Sequence, residues 1–284
     1  MLFSFRVNGR FAPPKIQILG YLPQMPATYE KNKHTFVNHS NSSAMILTPM
    51  ERENIVFLDI ETVPRYAGFS EVAEPLQHLW EEKMTRQKLL KENETLADSY
   101  TRAGLYAEFG KIICIAVGFI QKETLHTRSF AGDDEVSLLK AFSHFIEHHK
   151  PFNRPVQLCA HNGKEFDYPY IARRMIINRL PIPALLDNAG KKPWEVQLID
   201  TLELWKFGDY KAYTSLNLMA HVFGLPSPKQ DMDGSMVGAF YWQHKALDKI
   251  VRYCCNDVVT LVNVFLRIKG SNSIPAENVT FDQV

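Results

Sequence analysis

Three short segments of this 284-residue chain contain side chains that could do chemistry together. They are Asp59 with Glu61, Asp167, and Tyr253 with Asp257. Alternation along a strand places Asp59 and Glu61 on one face, at the end of an apolar run. Two adjacent carboxylates in a low-dielectric site are tolerated when a cation bridges them or when one is protonated. Spacing of four residues places Tyr253 and Asp257 on one face of a helix.

Each segment also has an ordinary structural explanation when it is considered alone. Asp59 and Glu61 could be a solvated strand end, although Asp59 terminates an unusually apolar run. Asp167 could stabilise a helix dipole as an acid in the first turn. The 253/257 pair could be an exposed helical pair. Only the occurrence of all three segments in one chain favours a functional site.

In this order, the three segments resemble the exonuclease motifs of the DnaQ-like (DEDD) superfamily, in its tyrosine branch. The motifs are Asp59-Ile-Glu-Thr62, Asn162-x-x-x-Phe166-Asp167 and Tyr253-x-x-x-Asp257. The surrounding residues 57–64, 107–115 and 225–235 are similar to the stand-alone, predicted polymerase-B-like 3′–5′ exonucleases of bacteria. The resemblance covers about residues 50–268.

This resemblance implies a two-metal-ion 3′–5′ exonuclease. The expected reaction is hydrolysis of 3′-terminal phosphodiester bonds, with release of nucleoside 5′-monophosphates from the 3′ end of single-stranded DNA. An exoribonuclease acting on short RNA or RNA 3′ ends is the alternative within the enzyme class. A non-catalytic nucleic-acid-binding module is the alternative outside it. The sequence does not allow a protein partner to be predicted.

The resemblance also implies a role for each motif residue. Asp59, Glu61 and Asp257 would bind one cation, and Asp59 and Asp167 a second, either directly or through water. Oxygen ligands of this kind suit Mg²⁺ or Mn²⁺ better than zinc. Tyr253, with a reference pKa near 10, is a poor base at neutral pH, so it would orient the attacking water.

Three further residues would contact the terminal nucleotide on the same grounds. They are Thr62, Asn162 and Phe166, of which Phe166 would pack against a sugar or base.

From residue 54 the hydrophobic pattern predicts an α/β domain. We predict strands at residues 55–59, 112–120, 124–130, 156–160 and 198–200. We predict helices from residues 133–134 onward and over residues 166–180, 215–223, 236–244 and 247–268. Residues 69–103 are charged and favour helix, which indicates a helical insert after the first strand. With the resemblance, this predicts an RNase H-like fold, a mixed five-stranded sheet flanked by helices.

The two ends of the chain differ from this domain, which we place at residues 50–270. Residues 1–49 are poor in acids and contribute +4 to a net charge of +1, which leaves −3 for the remainder. They are interpreted as a transit peptide, a disordered leader or an upstream extension foreign to the native protein, with Met50 as its start. Residues 271–284 are polar and are expected to be a frayed tail.

Composition limits the location and the partners. No apolar run approaches the roughly 18 residues that cross a bilayer, which argues against a membrane span. The four cysteines show no CxxC spacing and indicate reduced thiols of an intracellular, cytoplasmic protein. Several basic residues could flank a single-stranded substrate, or could equally be a plain solvated surface. They are Arg173, Arg174, Arg179, Lys191, Lys192, Lys206, Lys211 and Lys229.

Overall fold

A mixed sheet lies at the centre of the computed structural model, which describes residues 48–148, 156–226 and 232–282. Within these residues the strands are β1 (Ile55–Pro64), β2 (Gly110–Gln121), β3 (Thr124–Ala131), β4 (Gln157–Ala160), β5 (Ile199–Asp200) and β6 (Val279–Asp282). Their order across the sheet is β5-β4-β1-β2-β3-β6. β2 runs antiparallel to β1 and β3, whereas β4 is parallel to β1 and β5. This order and these directions confirm the predicted RNase H-like α/β fold.

The sheet differs from the prediction in one strand. β6 pairs in parallel with β3, so the described sheet has six strands and not five. The prediction of a frayed tail is therefore wrong for residues 279–282. The hydroxyl of Thr127 also donates to the carbonyl of Thr280 at 2.9 Å, which joins the two strands through a side chain. Without β6, β3 would present an open edge of the sheet.

Helices cover both faces of the sheet. In the described residues they are α1 (Pro49–Arg52), α2 (Glu74–Arg86), α3 (Leu96–Ser99), α4 (Glu135–His148), α5 (Asp167–Ile177), α6 (Thr201–Lys206), α7 (Leu216–Val222), α8 (Val237–Trp242) and α9 (Leu247–Ile268). The side chains of α4 and α5 share one core cluster with alternate residues of β1 and β2. The side chains of α9 share a second cluster with the opposite face of the same strands. The predicted leader lies, up to residue 47, outside the described residues.

Alternation along β1 decides which of its side chains faces which layer. Leu58 and Ile60 belong to the cluster under α4 and α5, whereas Phe57 belongs to the cluster under α9. Asp59 and Glu61 share the parity of Phe57, so they point toward α9. The strand therefore directs both carboxylates at the helix that contains the third motif.

α9 can approach the sheet closely because Gly118 of β2 has no side chain. A Cβ at this position would lie 2.6 Å from Cγ1 of Val258. Phe57 and Phe265 pack edge to face nearby, with ring centroids 5.2 Å apart. The helix ends where Gly270 adopts a left-handed conformation (φ 70°), a common way to terminate a helix.

The insert after β1 is helical, as predicted, and has a small core of its own around Trp80. The indole of Trp80 donates to Ser99 at 3.0 Å. The end of the insert contacts β1, because the hydroxyls of Thr62 and Tyr170 both donate to the carbonyl of Gly104 at 2.8 Å. This contact joins the insert to α5 and to the acidic end of β1.

A buried ion pair fixes α5 against the sheet. Arg174 is 2% exposed and Glu135, on α4, is 7% exposed. The guanidinium donates twice to the Glu135 carboxylate, at 2.8 and 2.5 Å, and once to the carbonyl of Ala107. Glu135 also accepts from the backbone N–H of Ile112 and the amide of Asn178. α4, α5 and β2 are thus held in one network.

We expect Arg174→Ala to lower the free energy of unfolding by about 3–5 kcal/mol, because it leaves the buried Glu135 carboxylate without its cation. Arg252→Ala is the matched control, since Arg252 pairs with Asp248 on the exposed face of α9. The control should change stability by no more than about 0.5 kcal/mol. Chemical denaturation measures both variants. Equal losses would show that the Glu135–Arg174 pair does not hold the layers together.

Candidate active site

The two acids of the first motif lie where β1 leaves the core. Glu61 is 8% exposed, and the pairing of β1 with β2 shifts register between Glu61 and Thr62. A bulge of this kind re-aims the side chains beside it. Ligand atoms of Asp59, Glu61 and Cys254 all lie within 4.8 Å of one another. Sequence analysis did not identify Cys254 as a neighbour of this pair.

Cys254 acts as a hydrogen-bond donor in this group. Its thiol donates to the carbonyl oxygen and to Oδ2 of Asp59, both at 3.4 Å. Burial raises the pKa of the Cys254 thiol well above its usual value, and the neighbouring Cys114 and Asp59 raise it further. A thiol that stays protonated is a poor ligand for a hard cation. The available cation ligands are therefore the carboxylate oxygens.

Asp59 is the electrostatic centre of the site. Burial raises the pKa of Asp59 well above its usual value, followed by the charges of Asp257, Glu61 and Asp167, in that order. The four acids that the sequence singled out are therefore close enough to repel one another. We refer to Asp59, Glu61, Asp167 and Asp257 as the acid cluster. Asp167 and Asp257 lie outside the tight group that Asp59 and Glu61 form with Cys254.

Asp167 enters the cluster from the first turn of α5. It is 4% exposed, and its Oδ1 accepts a hydrogen bond from the backbone N–H of Ile60 at 3.2 Å. Burial raises the pKa of Asp167 to about 7, two backbone hydrogen bonds oppose the shift, and the charge of Asp200 adds to it. This hydrogen bond joins the backbone of Ile60, which lies between Asp59 and Glu61 in β1, to the second motif.

Tyr253 and Asp257 reach the cluster from the buried face of α9, and each is 9% exposed. Burial raises the pKa of Tyr253 well above its usual value, and the charges of Asp257 and Glu61 raise it further. Tyr253 therefore remains protonated at neutral pH and is not a base. The interpretation of these residues as an exposed helical pair is wrong.

The second motif begins in a tight turn that we call the Asn162 loop, residues 161–166. Asn162 has a left-handed backbone (φ 62°). Gly163 follows, where a Cβ would lie 2.4 Å from that of Ala160. The buried carboxylate of Asp200 accepts from the backbone N–H groups of Asn162 and Lys164, at 2.9 and 3.0 Å. Asp200 is a positioning residue that the sequence analysis missed, although it ends a predicted strand.

Two of the three residues expected to contact the nucleotide, Thr62 and Phe166, directly follow or precede an acid of the cluster in sequence, and Asn162 lies in the loop before α5. Phe166 is half-buried at the start of α5, with its ring 5.3 Å from that of Tyr170. Asn162 is half-buried in the loop that Asp200 holds. The Thr62 hydroxyl proton is already donated to Gly104, so its oxygen can act toward a ligand only as an acceptor. Their contact with substrate stays a prediction.

The acid cluster fits the divalent cations that the resemblance implies. All the charged neighbours that raise the pKa of Asp59 are carboxylates. Carboxylates crowded in this way are stabilised by bound hard cations, whose preferred ligands are oxygens. The cation identities remain Mg²⁺ or Mn²⁺ as a proposal.

Other sequence features have ordinary roles in the structure. Arg174 is buried in the Glu135 network and cannot flank a substrate. Lys229 lies outside the described residues. All four cysteines lie within the described residues, where they are buried and free. No helix in the described part of the chain is long and apolar enough to cross a bilayer.

Comparison with known proteins gives one family match. A family model described as "Predicted 3′-5′ exonuclease related to the exonuclease domain of PolB" matches residues 105–277. The matched range contains Asp167, Tyr253 and Asp257, and it begins after Asp59 and Glu61. No curated protein matches the sequence.

Among solved structures, the family B DNA polymerase from the hyperthermophilic archaeon Pyrobaculum calidifontis is similar, with 15% sequence identity and a TM-score of 0.47. The similarity covers 75% of this chain and 24% of the polymerase chain. The chain therefore spans about a quarter of that polymerase.

The raised pKa of Asp167 predicts a pH-dependent stability. The folded state holds this proton more tightly than the unfolded chain, so the contribution of Asp167 to stability falls as pH rises from 3.8 to about 7. In EDTA, we expect the melting temperature of Asp167→Asn to exceed that of wild type at pH 8. The difference should shrink toward pH 5.

Asp248→Asn, at an exposed position of α9, is the control and should show no such dependence. An Asp167→Asn protein that melts below wild type at every pH would contradict the electrostatic assignment.

Proposed function

The chain belongs to the family of predicted 3′–5′ exonucleases related to the exonuclease domain of PolB, and from this premise we propose a two-metal-ion exonuclease acting on single-stranded DNA. The reaction is hydrolysis of the 3′-terminal phosphodiester bond, with release of a nucleoside 5′-monophosphate. The observation that supports it most is the position of the half-buried Asp59 among three further carboxylates. A fold without cationic ligands gains nothing from such a cluster, because the buried charges repel one another.

In this proposal the acid cluster holds the cations. Asp59, Glu61 and Asp257 bind one, and Asp59 and Asp167 bind the second. When bound, two such cations lower the pKa of the attacking water and neutralise charge on the leaving oxygen. Cys254 stabilises one rotamer of Asp59 through the hydrogen bond from its thiol to Oδ2. Asp167 is kept in place by the Ile60 N–H.

Tyr253 orients the attacking water. Its pKa is raised by burial and by Asp257 and Glu61, so the phenol keeps its proton throughout the working pH range. Proton removal by Tyr253 is therefore not part of the proposed mechanism. The Tyr253 ring lies beside the acid cluster on the buried face of α9, and its hydroxyl oxygen can accept a hydrogen bond from water.

The substrate end lies against the Asn162 loop. Phe166 packs against the terminal sugar or base, and the Asn162 amide and the Thr62 oxygen supply polar contacts. The relation of the family to PolB supports DNA as the substrate. We also propose a cytoplasmic location, which the four free thiols support.

The activity is tested by shortening of a 5′-labelled single-stranded oligonucleotide in Mg²⁺ or Mn²⁺. We expect a ladder of products from wild type, none in EDTA, and a loss of several orders of magnitude for Asp59→Asn. Asp248→Asn should retain wild-type activity, because its carboxylate is exposed on the same helix as Asp257.

DNA and RNA strands of the same sequence distinguish a deoxyribonuclease from a ribonuclease. Faster shortening of the RNA strand would show that RNA, and not DNA, is the preferred substrate. Binding without shortening in either metal would contradict the catalytic proposal.

The third motif can be dissected with two conservative changes. We expect Asp257→Asn to lower kcat by orders of magnitude while the melting temperature stays at or above that of wild type, because a repulsion is removed. Tyr253→Phe should cause a smaller loss, since the carboxylates still bind the cations. Steady-state kinetics and thermal melting are measured on the same samples. A melting temperature that falls together with activity in Asp257→Asn would contradict its role as a ligand.

A further inference from the structure

Three aromatic side chains are exposed to solvent on one loop, residues 207–213, which we call the aromatic loop. Phe207 is 86% exposed, Tyr210 91% and Tyr213 65%. Within the described residues, none of the three rings packs against another ring or a cation. Large aromatic side chains normally bury 150–250 Å² each on folding. The fold gains no such burial from this loop, so the rings are available to a ligand.

The aromatic loop lies beside the Asn162 loop of the candidate active site. Nε2 of His161 donates a hydrogen bond to the carbonyl of Thr214, and Nδ1 forms one with the hydroxyl of Thr201, each at 2.9 Å. Thr214 directly follows the aromatic loop. Burial raises the pKa of Tyr213, and the charge of Glu165 in the Asn162 loop adds to the shift. Both observations connect the loop to the segment that positions Asn162 and Phe166.

Backbone hydrogen bonds give the aromatic loop a defined shape. Phe207 ends α6 in a left-handed conformation (φ 44°, ψ 33°). Residues other than glycine and asparagine rarely adopt this conformation. The N–H of Asp209 donates to the carbonyl of Lys206 at 2.8 Å, and the Asp209 carboxylate accepts from the N–H of Lys211 at 3.0 Å. The rings are therefore displayed by an ordered turn.

Basic residues alternate with the aromatic ones. Lys206 precedes Phe207, Lys211 follows Tyr210, and Lys164 is exposed in the adjacent Asn162 loop. The side chain of Lys206 is only 11% exposed and pairs with Glu203 at 2.8 Å, so it is not available to a phosphate. Lys211 is exposed and forms no ion pair with the described residues. Flat rings interleaved with ammonium groups match the two parts of an unpaired strand, since bases stack on the rings and phosphates attract the cations. In a base-paired duplex the bases stack on one another, so their faces are not available to these rings.

We propose that the aromatic loop is a stacking platform for unpaired bases of the nucleic-acid strand whose 3′ end occupies the acid cluster. The proposal rests on the exonuclease function proposed above and specifies its substrate as single-stranded beyond the terminal nucleotide. Stacking is tolerant of sequence, so the platform adds affinity and length dependence without base specificity. The aromatic loop also gives Lys211 a function, which the sequence left open between substrate path and solvated surface.

The test uses a double variant, Phe207→Ala with Tyr210→Ala, in the full-length protein. Its matched control is Phe281→Ala, an exposed aromatic residue on β6, at the opposite edge of the sheet. Fluorescence anisotropy in EDTA measures binding of an oligothymidylate long enough to span the acid cluster and the loop. We expect the double variant to bind at least about tenfold more weakly than wild type, and the control to bind equally.

A small substrate separates this proposal from the proposed function. Hydrolysis of the p-nitrophenyl ester of thymidine 5′-monophosphate in Mn²⁺ requires the acid cluster but no upstream strand. We expect the double variant to retain wild-type hydrolysis of this ester. If wild type hydrolyses neither ester nor oligonucleotide, the proposed function fails, whereas the anisotropy difference still supports the platform.

Three results would overturn the platform. They are equal binding of the oligothymidylate by wild type and the double variant, equal binding of a blunt duplex and a single strand by wild type, and loss of ester hydrolysis in the double variant. The first two would assign the exposed rings to a different partner, such as a protein. The third would show that the rings act through the catalytic site itself.

Discussion

Repulsion among buried carboxylates is the constraint on which this structure depends. β1 points Asp59 and Glu61 toward α9, and the charges of Asp257 and Asp167 add to the strain at Asp59. Such a cluster is unfavourable for a folded chain at neutral pH unless its charge is compensated. In the proposed function, divalent cations compensate it through the same oxygens, so the cost to stability and the proposed hydrolysis of phosphodiester bonds would have one physical origin.

The remainder of the fold holds these charges in place. The Ile60 N–H binds Asp167, the Cys254 thiol binds Asp59, and Asp200 shapes the Asn162 loop. Each is a polar contact made in or next to the site. At a greater distance, Gly118 lets α9 approach the sheet, and the Glu135–Arg174 pair secures α5. Family membership agrees with this arrangement, because the matched residues 105–277 include the helices α5 and α9.

Local patterns were sufficient to predict much of this molecule. The bounds predicted for α9, residues 247–268, are those of the structure, because its apolar positions follow a helical period without interruption. The shared face of Asp59 and Glu61 followed from strand alternation.

Long-range contacts were beyond the reach of the sequence. Cys254 meets Asp59 across 195 positions, and Asp200 meets Asn162 across 38, so neither contact leaves a local signal. β6 was not predicted because the strand has only four residues, most of them exposed, and its partner β3 is far away in the sequence. The exposure of Phe207 and Tyr210 was equally invisible, since aromatic residues in a sequence are usually buried.

The most direct measurement of the central claim is anomalous diffraction from crystals of the protein soaked in Mn²⁺. The account predicts anomalous peaks in contact with carboxylate oxygens of Asp59, with Glu61 and Asp257 as further ligands of one ion and Asp167 near another. Crystals of Asp59→Asn should lack these peaks. Density that shows no manganese at Asp59 in wild-type crystals, or manganese held at surface acids alone, would contradict the account.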